Sequence, residues 1–495
     1  MELDLTKFTK ELKATATVNF IAKKNTNQIE LDFVKTSNKK GISIKSIEFN
    51  HLIEWIHEKD IIKITSAKRF NKGESYSVAV TYKGMPSDGL IVSQNKHGQH
   101  TAFGDNWPNR AHYWFPCIDH PSDKAYIDWK VRYPSNLALI ANGELISEQS
   151  ISKKTRYNHY KSTTPLPTKV MVIGLANFAV SDACMANDVA VTSWIFEPQK
   201  NEGFNDYAIA CDVLKWFENK IADYPYSKLA NVQSKTRYGG MENASCIFYF
   251  ENSVTGTGSV EDLIAHEIAH QWFGNSATES DWPHLWLSEG FATYLTDLYI
   301  LEKYGTEAFR KRIIQERQTA INFYNRYKAP VVDTLAQDPK VLLNPNSYQK
   351  GAWFLHMLRN EIGDSMFWDV IRTYYQFHQL SNATTNDFAN SIKMVVGEDY
   401  SWFINQWLRT SGHPQLLIET KKVGNKALEV KVIQQQKEPF VFKLPFSISY
   451  NNETVSQSKL ITKKESTFLI ELKEEMIDFK VDPRAKLFFE YELKD

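Results

Sequence analysis

The chain has 495 residues, with 58 basic and 58 acidic side chains and no formal net charge. It is too long for one ordinary hydrophobic core, and it lacks the field that draws a protein to nucleic acid or to an anionic membrane surface. No run of about 18 apolar residues occurs, so no membrane span is expected, and 42% apolar with 13% aromatic residues argues against extensive disorder.

The amino-terminal MELDLTKFTKEL has no apolar core behind a basic start; this reads as a cytoplasmic protein, or as an exported one whose signal has been removed. From about Ala14 to Asp182, apolar and polar residues alternate between Gly, Asn, Asp and Pro, as in Ile42 to Phe49 and Tyr76 to Tyr82. Period two with frequent turn residues predicts an antiparallel β-domain over residues 1–196. Near Glu197 the period changes to three and four. Asp206 to Ile221 reads as a helix, Tyr348 to Ile362 as another, and residues 197–413 as a mostly α domain. After Gly412-His413-Pro414 the alternation returns, in Leu428 to Val432 and Phe446 to Tyr450, and 414–495 is long enough for a small β-sandwich. The fold class expected is therefore α+β and multidomain. Cys117, Cys184, Cys211 and Cys246 are scattered without CxxC spacing, which predicts four reduced thiols.

The chemistry concentrates between His266 and Leu295. Ser259 to Phe273 reads as one buried helix, with Ser259, Glu261 and Asp262 as its amino-terminal signal. His266 and His270 are four residues apart and share a helix face, so both imidazoles can meet one ion. A catalytic zinc needs three protein ligands and an open position, and Glu289, in a second helix expected over Trp286 to Leu295, is the natural third. Glu267 sits about 100° around the first helix, beside the ion, where it can take a proton from a metal-activated water. His97, His100, His284, His356, His378 and His413 lack such spacing and read as surface or hydrogen-bonded histidines.

HExxH followed after eighteen residues by Glu, inside WFGN and LWLSEGFATY, resembles the gluzincin aminopeptidases of the aminopeptidase N and leukotriene hydrolase family. Gly239-Gly240-Met241-Glu242-Asn243 resembles that family's GxMEN motif and Tyr348-Gln-Lys-Gly351 its YxKG. Further echoes are Phe115-Pro-Cys-Ile-Asp119, Asp123-Lys-Ala125, Gln406-Trp407 and Ser411 to Gln415. The resemblance implies a thermolysin-like catalytic domain at 197–413, one zinc ion on His266, His270 and Glu289, Glu267 as general base and Tyr348 as oxyanion stabiliser. It also implies peptide substrates with a free amino terminus, held by Glu242 and by the Gly239, Gly240, Met241, Asn243 stretch as an extended edge. Five residues before Arg110, Asp105 stands where the family places a Glu or Gln for the substrate ammonium. A monomer is expected. Two alternatives stand beside an aminopeptidase: epoxide hydrolysis on the same scaffold, for which no lipid pocket is encoded, and a non-catalytic zinc-stabilised peptide-binding protein, which would need neither Glu267 nor Tyr348.

Overall fold

The computed structural model describes residues 1–35, 41–424 and 426–494 and forms two compact units. The first comprises Met1–Asp281 with Phe377–Ala383, the second Trp282–Gln376 with Thr384–Asp495.

The alternation at the start of the chain becomes a seven-stranded sheet in the first unit. In it Leu12–Ile21 pairs antiparallel with Ser75–Met85, Ala16 opposite Val80. These two residues are buried while Thr17 faces solvent, the one-sided pattern that period two encodes. One pairing departs from the antiparallel expectation: Glu2–Asp4 runs parallel to Asp128–Pro134.

A five-stranded sheet of the first unit, in the order Phe178–Ala186, Val189–Phe196, Lys228–Ser234, Cys246–Phe250, Gly240–Met241, leads to the chemistry. Its three inner strands are parallel. Leu229 through Ser234 are all buried, as expected of a strand covered on both faces. Gly240–Met241 is the edge, antiparallel to its neighbour with Gly240 opposite Tyr249.

Three local expectations are corrected. The helix expected over Asp206 to Ile221 is two helices, Lys200–Tyr207 and Ala210–Lys220, separated by a tight turn in which the Cys211 N–H bonds to Ala208 O. Cys184 and Cys211 are joined in a disulfide, and only Cys117 and Cys246 are free buried thiols among the described residues. Their separation of 27 residues hides the pair in the sequence, because strand Phe178–Ala186 and helix Ala210–Lys220 bring them together. The histidine helix runs over Glu261–Ala269 and has no side-chain cap. The Ser259 hydroxyl is taken by Thr255 and Thr257 instead. After His270 the chain turns through Gly274, at φ 119°, and leaves as Ala277–Glu279, a strand parallel to Ser381–Ala383.

In the second unit the helix Trp286–Tyr324 begins where the sequence places it and is interrupted only at Gly305, φ 85°. It crosses helix Gly351–Ile362 with no side chains between: a Cβ on Gly290 would lie 2.9 Å from the Gly351 Cα. Trp286, Phe291, Phe354 and Phe388 pack ring to ring beside that crossing. Helix Thr385–Val396 starts on a reciprocal cap between Thr384 and Asp387. Two sheets close the chain: Glu465–Glu471, Ala427–Gln434, Gln415–Val423, Glu490–Lys494 in one, and Thr454–Ile461, Phe442–Ser449, Asp478–Val481 in the other. Alternate residues Leu428, Val430 and Val432 face inward from the first and Phe442, Leu444 and Phe446 from the second. Phe446 meets Phe468 across the core at 6.0 Å. The fold class is the expected one, β-rich, then mostly helical, then β.

Candidate metal centre

The ring Nε2 atoms of His266 and His270 point at a common place and lie 3.1 Å apart. Two ligands each about 2.0–2.1 Å from a tetrahedral zinc take nearly that spacing. His270 Nδ1 is 3.1 Å from the Phe273 carbonyl oxygen, so that its N–H donates there and the Nε2 lone pair is kept for a metal. Glu289 lies in the first turn of helix Trp286–Tyr324 and is buried. One ligand atom from each of His266, His270 and Glu289 falls within 4.8 Å of the other two. Two imidazoles and one carboxylate are a donor set that suits zinc and leaves a coordination position open.

Glu267 is buried, with 5% of its surface exposed, and its carboxylate rests on the edge strand. A Cβ on Gly240 would lie 2.2 Å from Glu267 Oε1 and 2.5 Å from its Cδ. The sequence reading takes Gly239 and Gly240 as clearance for substrate; the structure adds that Gly240 is clearance for Glu267. Gly239 is exposed, and its carbonyl accepts the Phe250 N–H, which fixes the start of the edge.

Glu242 follows directly on that edge strand, 6% exposed. Its backbone carbonyl accepts two side-chain N–H groups, from Gln271 at 2.8 Å and Asn275 at 2.6 Å. Gln271 also accepts the Ser245 N–H at 3.0 Å and the Tyr224 hydroxyl at 3.3 Å. Both amides are fully buried. The residue after His270 therefore ties Glu242 to the histidine helix, a role the sequence reading missed. Its signal was present: two amides flank the apolar Trp272-Phe273, and a buried amide implies a specific partner. Of the neighbouring motif residues, Met241 is buried, and Asn243 is buried with its side-chain amide unpartnered among the described residues.

The loop carrying Asn275 is locked from the other side. Lys124, in the Asp123-Lys-Ala stretch, donates to the carbonyls of Asn275 at 3.1 Å and Ser276 at 2.6 Å. Burial, with Lys169 adding to it, lowers the Lys124 ammonium to about 7. Lys169 in turn forms a buried ion pair with Glu279 at 2.5 Å, and burial raises the Glu279 carboxyl against the pull of that lysine.

Asp105 is fully buried. One carboxylate oxygen takes the Arg110 guanidinium and the other accepts the Arg237 backbone N–H at 3.2 Å. Burial raises its carboxyl despite Arg110. Asp88 bridges the same two arginines, 3.2 Å from Arg110 and 2.6 Å from Arg237. Asp105 thus grips the loop that runs into Gly239, with both oxygens engaged.

Tyr348 is half-buried in a wide turn of the i→i+5 kind, Asn346–Lys350, that opens into helix Gly351–Ile362. Such turns break helical regularity and recur at functional sites. This one rides on the helix carrying Glu289: a Cβ on Gly290 would be 3.1 Å from the Ser347 carbonyl oxygen. The small residues of LSEG and YQKG are explained together by that backbone contact. Lys350 donates to the Gly412 carbonyl at 2.8 Å, and its burial lowers the ammonium to about 7.

Known sequences resemble this chain over most of its length. The Peptidase M1 N-terminal domain profile matches residues 1–170, and the Peptidase family M1 domain profile matches residues 206–407. A leucyl aminopeptidase of Saccharolobus solfataricus is 26% identical over 95% of this chain and 58% of its own length. An alanine/arginine aminopeptidase of Saccharomyces cerevisiae is 24% identical over 91% of this chain and 55% of its own. A glutamyl aminopeptidase of Bitis rhinoceros is 24% identical over 72% and 40%. The chain spans about half the length of the curated relatives it matches. M1 peptidases are zinc-dependent as a family, which agrees with the donor set found here. With the two M1 profiles in tandem over most of its length, this chain belongs to peptidase family M1.

Proposed function

We propose that the chain is a zinc aminopeptidase that hydrolyses the first peptide bond of peptides with a free amino terminus. The observation that carries this reading is the meeting of His266, His270 and Glu289 ligand atoms within 4.8 Å, with Glu267 next in sequence to the first of them. The three relatives described above are named aminopeptidases, which supports it.

A zinc ion held by these three residues would polarise the scissile carbonyl and ease ionisation of water. Glu267 takes the proton of the attacking water and returns it to the leaving amine. Its burial against Gly240 excludes bulk water from that transfer. Tyr348 donates its hydroxyl to the carbonyl oxygen as that oxygen gains charge. The Glu242 carboxylate pairs with the substrate ammonium, which limits cleavage to the first bond. The open side of Gly240–Met241 pairs with substrate backbone as an added strand. Asp105 is assigned to holding the approach to Gly239 rather than to touching the ammonium, because both its oxygens are already bonded.

The test is a tripeptide offered free and amino-terminally acetylated, with products separated by chromatography. Release of the first residue from the free peptide alone is expected. Cleavage of the acetylated peptide, or cleavage within a longer one, would overturn the anchoring role of Glu242.

A further inference from the structure

The second unit contains a cavity of about 560 Å³, walled by helix Gly351–Ile362, residues 402–407, strands Phe442–Ser449 and Thr454–Ile461, and the chain at 483–487. None of the residues assigned to the metal centre lines it. Its floor is apolar: Met357, Phe403, Trp407, Phe442 and Phe446 line it, each no more than 6% exposed. At its mouth Trp402 is 46% and Leu460 57% exposed, large apolar surface that a folded chain otherwise covers. This volume and lining are those of a site for a small organic molecule.

Charge selects the class of molecule. Of the ionisable residues lining the cavity, Lys443 and Glu361 neutralise each other at 2.7 Å. Arg484 and Lys486 line it as well, both exposed, and neither has an acidic partner among the described residues. An apolar chamber with two unbalanced cations suits a ligand with an apolar body and an anionic end, and a guanidinium fork matches a carboxylate in particular. We propose that this cavity binds an amphipathic carboxylate, its alkyl or aryl body against Trp402, Phe403 and Phe446 and its carboxylate at Arg484 and Lys486. Such a carboxylate belongs either to a free fatty or aryl acid or to the free carboxyl terminus of an apolar peptide.

The test is a fluorescence titration of the full chain with 8-anilinonaphthalene-1-sulfonate, an aryl anion, followed by displacement. Saturable one-to-one binding is expected, weakened about tenfold or more in the double variant Arg484→Glu/Lys486→Glu. Both positions are exposed, and an unchanged Tm of the variant verifies its fold. Dodecanoate or an apolar pentapeptide with a free carboxyl terminus should displace the dye, and whichever succeeds names the source of the carboxylate. Dodecanol and the amidated pentapeptide should not. Absence of saturable binding, unchanged affinity in the double variant, or equal displacement by the neutral competitors would overturn the proposal.

Discussion

Glu267 and Gly240 form a pair whose roles separate cleanly by substitution. Glu267→Gln keeps the shape and removes the base, so kcat should fall by about 10²–10⁴-fold while zinc content, measured by atomic absorption, stays that of the parent. A zinc-loaded variant with parental turnover would remove Glu267 from the mechanism. Gly240→Ala removes no catalytic group but drives a methyl into the Glu267 carboxylate, 2.2 Å from Oε1, and so displaces it. The expected result is a fall in kcat of about tenfold or more with an unchanged far-UV spectrum. Parental kcat in that variant would mean that Glu267 gives way at no cost. At this scale the sequence was legible where spacing carries the geometry: His266 and His270, four residues apart, bring their Nε2 atoms to 3.1 Å of each other. The bonds that Asp105 makes were not legible, because its partners include a backbone N–H 132 positions away, at Arg237.

Elements are held to one another by buried polar contacts, and two of these give measurable consequences. Gln271 bonds the histidine helix to the Glu242 segment through Glu242 O and the Ser245 N–H, and to Tyr224 through its hydroxyl. Gln271→Ala strands the Ser245 N–H and should destabilise the fold by about 1–3 kcal/mol. KM for free-amine substrates should rise less than in Glu242→Ala, since Asn275 still holds the Glu242 carbonyl. Equal KM effects in the two variants would show that Asn275 holds nothing alone. His356 joins helix Gly351–Ile362 to the closing segment: its Nε2–H donates to Ala485 O at 2.8 Å, and Nδ1 accepts the Tyr294 hydroxyl at 3.0 Å. Burial lowers this imidazole from 6.5 to about 4. Because the unfolded chain takes up the proton first, the stabilisation is complete above pH 6.5 and is lost as pH falls toward 4, amounting to about 3 kcal/mol. Urea midpoints measured across that window should decline in the parent and decline less in His356→Gln. A parent midpoint independent of pH would refute the assignment. Helix existence was legible from apolar period, but helix ends were not. Ser259 looks like a cap, yet its hydroxyl is spent on Thr255 and Thr257, a competition that local sequence does not resolve.

Across the whole molecule, the change from alternation to helical period near Glu197 and its reversal after Pro414 carried the β, α, β order. The Cys184–Cys211 bond escaped because cysteine spacing says nothing about which strand and helix will meet. The parallel pairing of Glu2–Asp4 with Asp128–Pro134 escaped for the same reason, being a contact between segments far apart in the chain. The reason for Gly290 and Gly351 escaped likewise: without side chains they let the Glu289 helix and the Tyr348 turn touch through their backbones. The proposal that spans these scales is that His266, His270 and Glu289, side chains from two helical segments, would hold one zinc ion required for hydrolysis at a free amino terminus. Its most direct measurement is the release of p-nitroaniline from amino-acyl p-nitroanilides by protein stripped with a strong chelator and then titrated with zinc. Activity that is absent in the stripped protein, rises to a plateau at one zinc per chain, and does not rise in His270→Ala is the predicted result. Full hydrolysis by the stripped protein, or restored hydrolysis in His270→Ala, would contradict it.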